Sequence, residues 1–69
     1  MISKYTVTGM TCGHCVRHVT EEVSALPGVT SVVVELGDGA MIVESDQAIA
    51  FADIEQAVEE AGDYQVAQA

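Results

Sequence analysis

The sequence has no tryptophan, a single proline and only two basic residues, Lys4 and Arg17, against eleven acids. The formal net charge of −9 makes phosphate backbones and anionic membrane surfaces poor partners, so binding to nucleic acid is not expected. Basic protein surfaces are the natural electrostatic partners of such a chain. The same acids also keep a small protein soluble, and the composition alone does not separate these two roles.

Long apolar runs are also absent. No segment approaches the ~20 apolar residues of a membrane span, and residues 1–5 lack the character of a hydrophobic signal segment. We therefore expect a cytoplasmic protein with no membrane insertion. Because the chain has only 69 residues, we expect one domain over residues 1–69, with a simple core and little room for an enclosed substrate pocket.

Alternating or β-branched stretches of sequence predict four strands. They lie at residues 5–8, 29–36, 41–43 and 64–66. The second strand is predicted to extend as far as Leu36, with that side chain on the inward face. The segment at residues 37–39, Gly-Asp-Gly, predicts a hairpin into the third strand.

Two helices are predicted from apolar residues spaced +3, +4, +3. These residues are Val16, Val19, Val23 and Leu26 in the first helix and Phe51, Ile54, Val58 and Ala61 in the second. Pro27 and Gly28 end the first helix, and Gly62 is the expected cap of the second. The order of the six elements predicts an α+β, ferredoxin-like βαββαβ fold, with both helices on one face of a four-stranded antiparallel sheet.

The only two cysteines, Cys12 and Cys15, lie where the first strand gives way to the first helix. In a reducing compartment such a pair serves as ligands or as a redox couple more often than as a structural staple. The two-residue spacer lets both sulfurs converge, and helix N-terminal amides favour thiolates, so at least one of the two thiols should be unusually acidic. Cys15, inside the first turn, is placed to feel these amides. Two thiolates suit a soft, low-coordinate ion such as Cu(I). Gly13 is expected to let backbone pass close to this site.

Three other interpretations of the cysteine pair are open from the residues alone. A dithiol redox protein uses the same spacing at the start of a helix, although this chain is short, lacks tryptophan and has no substrate-docking loop. A structural zinc site needs four ligands, and only His14 and His18 are available to join the cysteines within one short segment. The third interpretation is chance proximity of two core cysteines.

The segment at residues 9–15, Gly-Met-Thr-Cys-Gly-His-Cys, resembles the metal-binding loop of the heavy-metal-associated domain family. That family includes cytosolic copper chaperones, the amino-terminal domains of copper-transporting P-type ATPases, and mercury-binding proteins. The resemblance extends over nearly the whole chain, through residues 26–29, Leu-Pro-Gly-Val, and residues 57–62, Ala-Val-Glu-Glu-Ala-Gly. In sequence the chain looks closest to the bacterial copper chaperones.

By this resemblance, Cys12 and Cys15 are the metal ligands. Met10 is implied to be an apolar anchor packed under the loop and not a third ligand. The resemblance also implies that His14 is a solvent-facing modulator of the site and that His18, one turn further along the helix, is a plain surface residue.

One departure from the family pattern concerns Tyr64. Bacterial copper chaperones often carry a tyrosine directly after the glycine that ends the second helix, near the metal loop. Here Asp63 stands between Gly62 and Tyr64, so Tyr64 either still reaches the site or is an ordinary strand aromatic. The expected fold places Glu59, Glu60 and Asp63 toward the loop end.

The resemblance implies a metallochaperone, not an enzyme, that passes Cu(I) to a copper-transporting P-type ATPase or a copper-sensing regulator with its own cysteine pair. We expect a monomer without metal, while two molecules can share Cu(I) through four thiolates. The alternatives are a detached metal-binding regulatory domain of a heavy-metal ATPase, a thioredoxin-like dithiol redox protein and a mercury carrier. The lack of a linker at either end favours a free-standing protein over a detached domain.

Overall fold

The computed structural model describes all 69 residues and contains the six predicted elements in the predicted order. The strands and helices are β1 (Ile2–Thr8), α1 (Gly13–Ser24), β2 (Val29–Val34), β3 (Ala40–Ser45), α2 (Phe51–Ala61) and β4 (Gln65–Gln68). Neither helix has the length and apolar character that crossing a bilayer requires.

The four strands form one antiparallel sheet in the order β2-β3-β1-β4. The central strand β1 pairs with β3 on one side, where Ile2 lies opposite Glu44, and with β4 on the other, where Thr8 lies opposite Gln65. The predicted ferredoxin-like βαββαβ fold is therefore confirmed.

The core contains nine buried apolar residues drawn from strands and helices alike. They are Tyr5, Val7, Val19, Val23, Met41, Val43, Ile54, Ala57 and Val58. Alternate residues of β1 (Tyr5 and Val7) and of β3 (Met41 and Val43) belong to this cluster, and both helices contribute to it, so both cover the same face of the sheet. The predicted helical stripes are confirmed at Val19, Val23, Ile54 and Val58, which are fully buried. The predicted end of the first helix is wrong, because α1 ends at Ser24 and Leu26 packs against the core from beyond the helix.

The predicted extent of the second strand is wrong at its end. Leu36 was expected on the inward face, but β2 ends at Val34 and Leu36 lies in the hairpin turn with 44% of its surface exposed. The backbone N–H of Glu35 donates to the carbonyl of Ala40 at 2.8 Å, which closes the hairpin one residue before Leu36. Strand periodicity cannot locate this closing pair, because the pairing depends on the partner strand.

The hairpin is held against β1 at Gly39. This residue has a φ of +75°, and a Cβ atom there would clash with the carbonyl oxygen of Val7. The Gly39 carbonyl in turn accepts a hydrogen bond of 2.8 Å from the Val7 N–H. Gly39 is therefore required both by its backbone conformation and by the close approach of β1.

Replacing Gly39 with alanine should destabilise the protein strongly. A side chain in the left-handed region costs about 1–3 kcal/mol before the clash with Val7 is counted. Gly37→Ala is the matched control, because a Cβ atom there meets nothing within 4 Å, and its unfolding free energy should change by no more than ~0.5 kcal/mol. Urea denaturation measures both. Equal unfolding midpoints for the two variants would contradict the close approach.

Candidate metal centre

The two cysteines lie at the first turn of α1. Cys12 is the N-cap residue, with extended backbone and an exposed side chain, whereas Cys15 is half-buried within the first turn. The carbonyl of Cys12 accepts hydrogen bonds from the N–H groups of Cys15 at 3.1 Å and Val16 at 3.4 Å. These bonds fix the relative positions of the two Cα atoms, and the Cys12 sulfur itself caps nothing.

The two sulfurs lie 3.6 Å apart and both cysteines are free thiols. A metal–thiolate bond is ~2.3 Å long, so one ion can contact both sulfurs without rearrangement, and only ~1 Å of further separation brings the two bonds into line. A pair of soft donors without a third nearby ligand suits a low-coordinate soft ion. The donor set therefore fits an ion such as Cu(I) as cargo.

The pKa of the Cys15 thiol is lowered to about 6. The largest cause is the Tyr64 hydroxyl, which favours the thiolate. Backbone groups at Thr11 and Cys12 and the Cys12 thiol lower the pKa further, against partial desolvation, which raises it. The expected acidic thiol is thus present, but a side chain contributes more to it than the helix amides on which the expectation rested.

Tyr64 reaches the site despite the extra residue before it. The N–H of Tyr64 donates to the carbonyl of Gly62 at 2.9 Å, a γ-turn centred on Asp63 that reverses the chain at the end of α2. The pKa of Tyr64 is raised, mainly because its hydroxyl interacts with Cys15. The extra residue, Asp63, is therefore accommodated at the centre of this turn. β4 begins only at Gln65, one residue later than predicted.

The two glycines of the site differ from expectation. Gly62 does occupy the C-cap position of α2, but its φ of 162° is extended, not the left-handed value that a capping glycine usually adopts. A Cβ atom on Gly13 would meet nothing within 4 Å, so no close backbone approach occurs there. Gly13 instead leaves the surface beside the sulfurs open.

The remaining predicted residues lie around the cysteines without joining them. Met10 is half-buried and packs against the core, as expected of an anchor, and His14 and His18 are exposed. No group of three or more His, Cys, Asp or Glu side chains converges anywhere in the chain, so no four-ligand zinc cage is formed. Sequence reasoning missed the Thr11 hydroxyl, which lies 3.9 Å from the Cys15 sulfur; its position next to Cys12 was the only available signal.

The end of α2 lies beside the metal loop. The carbonyl oxygen of Asp63 would be 3.1 Å from a Cβ atom on Gly9, which directly precedes Met10 in the loop. Glu59 and Glu60 are exposed in the last turn of the same helix. The backbone of Asp63 therefore lies beside the loop. The placement of the Glu59 and Glu60 carboxylates toward the loop stays a prediction.

Removing the Tyr64 hydroxyl should make Cys15 less acidic. A thiol with a pKa of about 6 in the folded protein and ~8.5 when unfolded stabilises the fold above the unfolded value, and this contribution disappears as pH falls through the folded value. Tyr64→Phe should therefore slow the alkylation of Cys15 near neutral pH. In alkali, the alkylation rates of the variant and the unmodified protein should converge. Its cost in unfolding free energy should be larger at about pH 8 than at about pH 5.

Tyr5→Phe is the control, because the Tyr5 side chain is buried in the core beside Phe51. Alkylation of the reduced protein, resolved by peptide mass spectrometry across a pH series, measures the Cys15 pKa in each variant. A Cys15 titration at the ordinary thiol value in the unmodified protein would contradict the assignment.

Comparison with known proteins places this geometry in a family. The model of the heavy-metal-associated domain matches residues 4–63. A copper chaperone CopZ of Enterococcus hirae is 36% identical over 63 residues, covering 90% of this chain and 91% of the relative. A solved CopZ metallochaperone superimposes with a TM-score of 0.87 at 34% identity, covering 97% of this chain and 100% of the other.

A copper-binding domain of the P-type ATPase HMA7 is also similar, with a TM-score of 0.87 at 28% identity, covering 99% of this chain and 92% of that domain. The similarity therefore extends both to a metallochaperone and to a domain of a larger transporter. The family match covers most of the chain and includes the loop that carries both cysteines. This protein belongs to the heavy-metal-associated domain family.

Proposed function

We propose that this protein is a metallochaperone that carries Cu(I) on Cys12 and Cys15 and delivers it to a partner presenting its own cysteine pair. The observation that carries the proposal is a pair of accessible sulfurs 3.6 Å apart at the start of a helix, with no third ligand to close the site. The similarity to copper chaperones supports copper as the cargo. The protein acts as a carrier, not as an enzyme.

Transfer follows from the low coordination of the site. An incoming thiolate can bond to the exposed ion and form a three-coordinate bridge before one of the original sulfur bonds breaks. The ion is never released to water, and its oxidation state does not change. Because both thiols must stay reduced, we place the protein in the cytoplasm.

The partner we propose is a copper-transporting P-type ATPase or a copper-sensing regulator. The similarity in fold to the copper-binding domain of an ATPase supports the first. The same similarity keeps a second candidate open, in which the chain is a metal-binding regulatory domain of such an ATPase. Copper-dependent binding to a separate ATPase domain, tested with the two purified proteins, distinguishes a carrier from a regulatory domain.

A dithiol redox protein is the competing function from another class. The close sulfurs and the acidic Cys15 thiol favour it, since a thiolate is the attacking species in disulfide exchange. An anaerobic competition titration with Cu(I), Zn(II) and Hg(II) under reducing conditions, run beside a disulfide-reduction assay, separates the two. Turnover of a disulfide substrate with no preference for Cu(I) would contradict the chaperone proposal.

Replacement of either cysteine should remove most of the Cu(I) affinity. Cys12→Ser and Cys15→Ser each substitute a hard, protonated hydroxyl for a soft thiolate, so the loss should exceed the ~10–100-fold that removal of an outer partner costs a metal site. Met10→Leu should retain affinity and change the unfolding free energy by less than ~1.5 kcal/mol, because Met10 packs against the core. Competition with a Cu(I) chelator measures all three. Loss of binding in folded Met10→Leu would make Met10 a ligand.

Transfer to a basic receiving domain should slow as salt rises. The end of α2 lies beside the loop in a protein of net charge −9, and charges are screened beyond ~10 Å at 0.1 M salt. The Cu(I) affinity should change much less, because coordination is local. Stopped-flow transfer between ~10 and ~500 mM salt tests this, with Asp53→Asn as the control at the far end of α2. A flat rate would indicate docking by shape alone.

A further inference from the structure

One face of the sheet is left uncovered by the rest of the chain. Both helices pack on the face that carries the core, and successive residues of a strand point to opposite faces. The residues between the core positions of each strand therefore project from the other face, which we call the open face. Three of them are large, exposed apolar side chains: Ile2 in β1, Ile42 in β3 and Val33 in β2.

The strand register arranges these three side chains in one diagonal stripe. Val33 lies opposite Ile42, and Ile42 lies opposite Lys4 on the next strand, so the three share one row across the sheet. Ile2 belongs to the adjacent row, where it lies opposite Glu44. The apolar stripe therefore runs from Val33 through Ile42 to Ile2, with Lys4 on one side of it and Glu44 on the other.

The charges of the open face are balanced, unlike those of the rest of the molecule. Six of the eleven acids lie on the two helices, which cover the opposite face; they are Glu21, Glu22, Asp53, Glu55, Glu59 and Glu60. In the two rows that contain the apolar stripe, Lys4 and Glu44 are the only charged side chains. A second copy, which also carries a net charge of −9, therefore meets less repulsion at this face than at the helices.

We propose that the open face binds a second copy of this chain, in a weak dimer whose two-fold axis lies along the apolar stripe. This axis packs the stripe of one copy on the stripe of the other. It also brings Lys4 opposite Glu44 of the second copy, and the symmetry forms this pair twice. A two-fold axis at right angles to the stripe would instead place Lys4 against Lys4, so the charge pattern selects the first arrangement.

The dimer leaves both metal loops free. Ile2 and Lys4 lie in the first half of β1, whereas the loop follows the last residue of that strand, Thr8. Because the stripe is diagonal to the strands, the strands of the two copies cross steeply, as in orthogonal sheet packing. The stripe and its two flanking charges are few beside the about 20–30 residues per partner of a stable interface, so the dimer is transient.

This assembly differs from the monomer that the sequence led us to expect for the metal-free protein. It also differs from two molecules that share Cu(I) through four thiolates, because it needs neither the ion nor the cysteines. The proposal does not rest on the proposed function. If both hold, one particle carries two independent metal sites.

Sedimentation equilibrium of the reduced, metal-free full chain, with a chelator present, tests the dimer. The average mass should rise from that of one chain towards that of two as the protein approaches millimolar concentration. Lys4→Glu should weaken the association by about tenfold or more, because it sets two carboxylates against each other. Glu44→Lys should weaken it as much by opposing two ammonium groups, although this substitution reduces the net charge. Ile42→Thr should also weaken it by removing apolar contact.

An equimolar mixture of the Lys4→Glu and Glu44→Lys variants should recover the association as a heterodimer. Each charge pair across that interface again joins a carboxylate to an ammonium group. Neither a loss of folding nor a change in net charge produces such a recovery. Glu55→Lys is the matched control, because it makes the same change of charge at an exposed position on α2 and should not weaken the dimer. Circular dichroism checks that each variant is folded.

An unmodified chain that stays monomeric up to millimolar concentration would overturn the proposal. Association that Lys4→Glu leaves unchanged, or that the mixture of variants does not recover, would place the contact on another surface and would overturn it too. A dimer that forms only when Cu(I) is added would indicate an ion shared through the cysteines instead. Because no metal is present in the main measurement, its failure leaves the copper-carrier proposal standing, and loss of Cu(I) binding leaves the open-face dimer standing.

Discussion

The packing of α1 against the sheet sets the position of both sulfurs. Val19 and Val23 are fully buried and fix the rotation of the helix about its axis. Cys15 precedes Val19 by four residues and so lies above it on the same stripe, half-buried at the edge of the core. Cys12 stands just outside the first turn, where only its backbone carbonyl is committed to the helix. A rotation of α1 would therefore change how far each sulfur is exposed.

The fold and the cysteine pair were predictable because both depend on the spacing of residues that lie close together in the sequence. The helical stripes repeat at intervals that a helix alone produces, and the two-residue spacer between cysteines falls where a strand pattern stops and a helix pattern starts. The order of six elements then leaves few topologies open. These features depend on residues close together in the chain, which is why sequence reasoning reaches them.

The parts that were missed depend on residues far apart in the chain. The end of β2 is set by the hydrogen bond between Glu35 and Ala40. This pairing across the hairpin produces no periodic pattern in the sequence. The course of Tyr64 depends on a γ-turn and on space left by Gly9, more than fifty positions earlier in the chain. Glycine in a sequence signals that something needs room or an unusual backbone angle, but not which neighbour needs it.

The start of α1 has a further consequence for the metal-free protein. Cys12 and Cys15 occupy the N-cap and third helical positions, the same two positions whose side chains cross-link a helix start in a capping box. Here the Cys12 sulfur caps no backbone amide, so the helix forgoes the ~1 kcal/mol that a serine or aspartate at the N-cap would contribute. An ion held by both sulfurs would tie the N-cap residue to the third helical residue through their side chains, and this restraint would oppose fraying of the first turn.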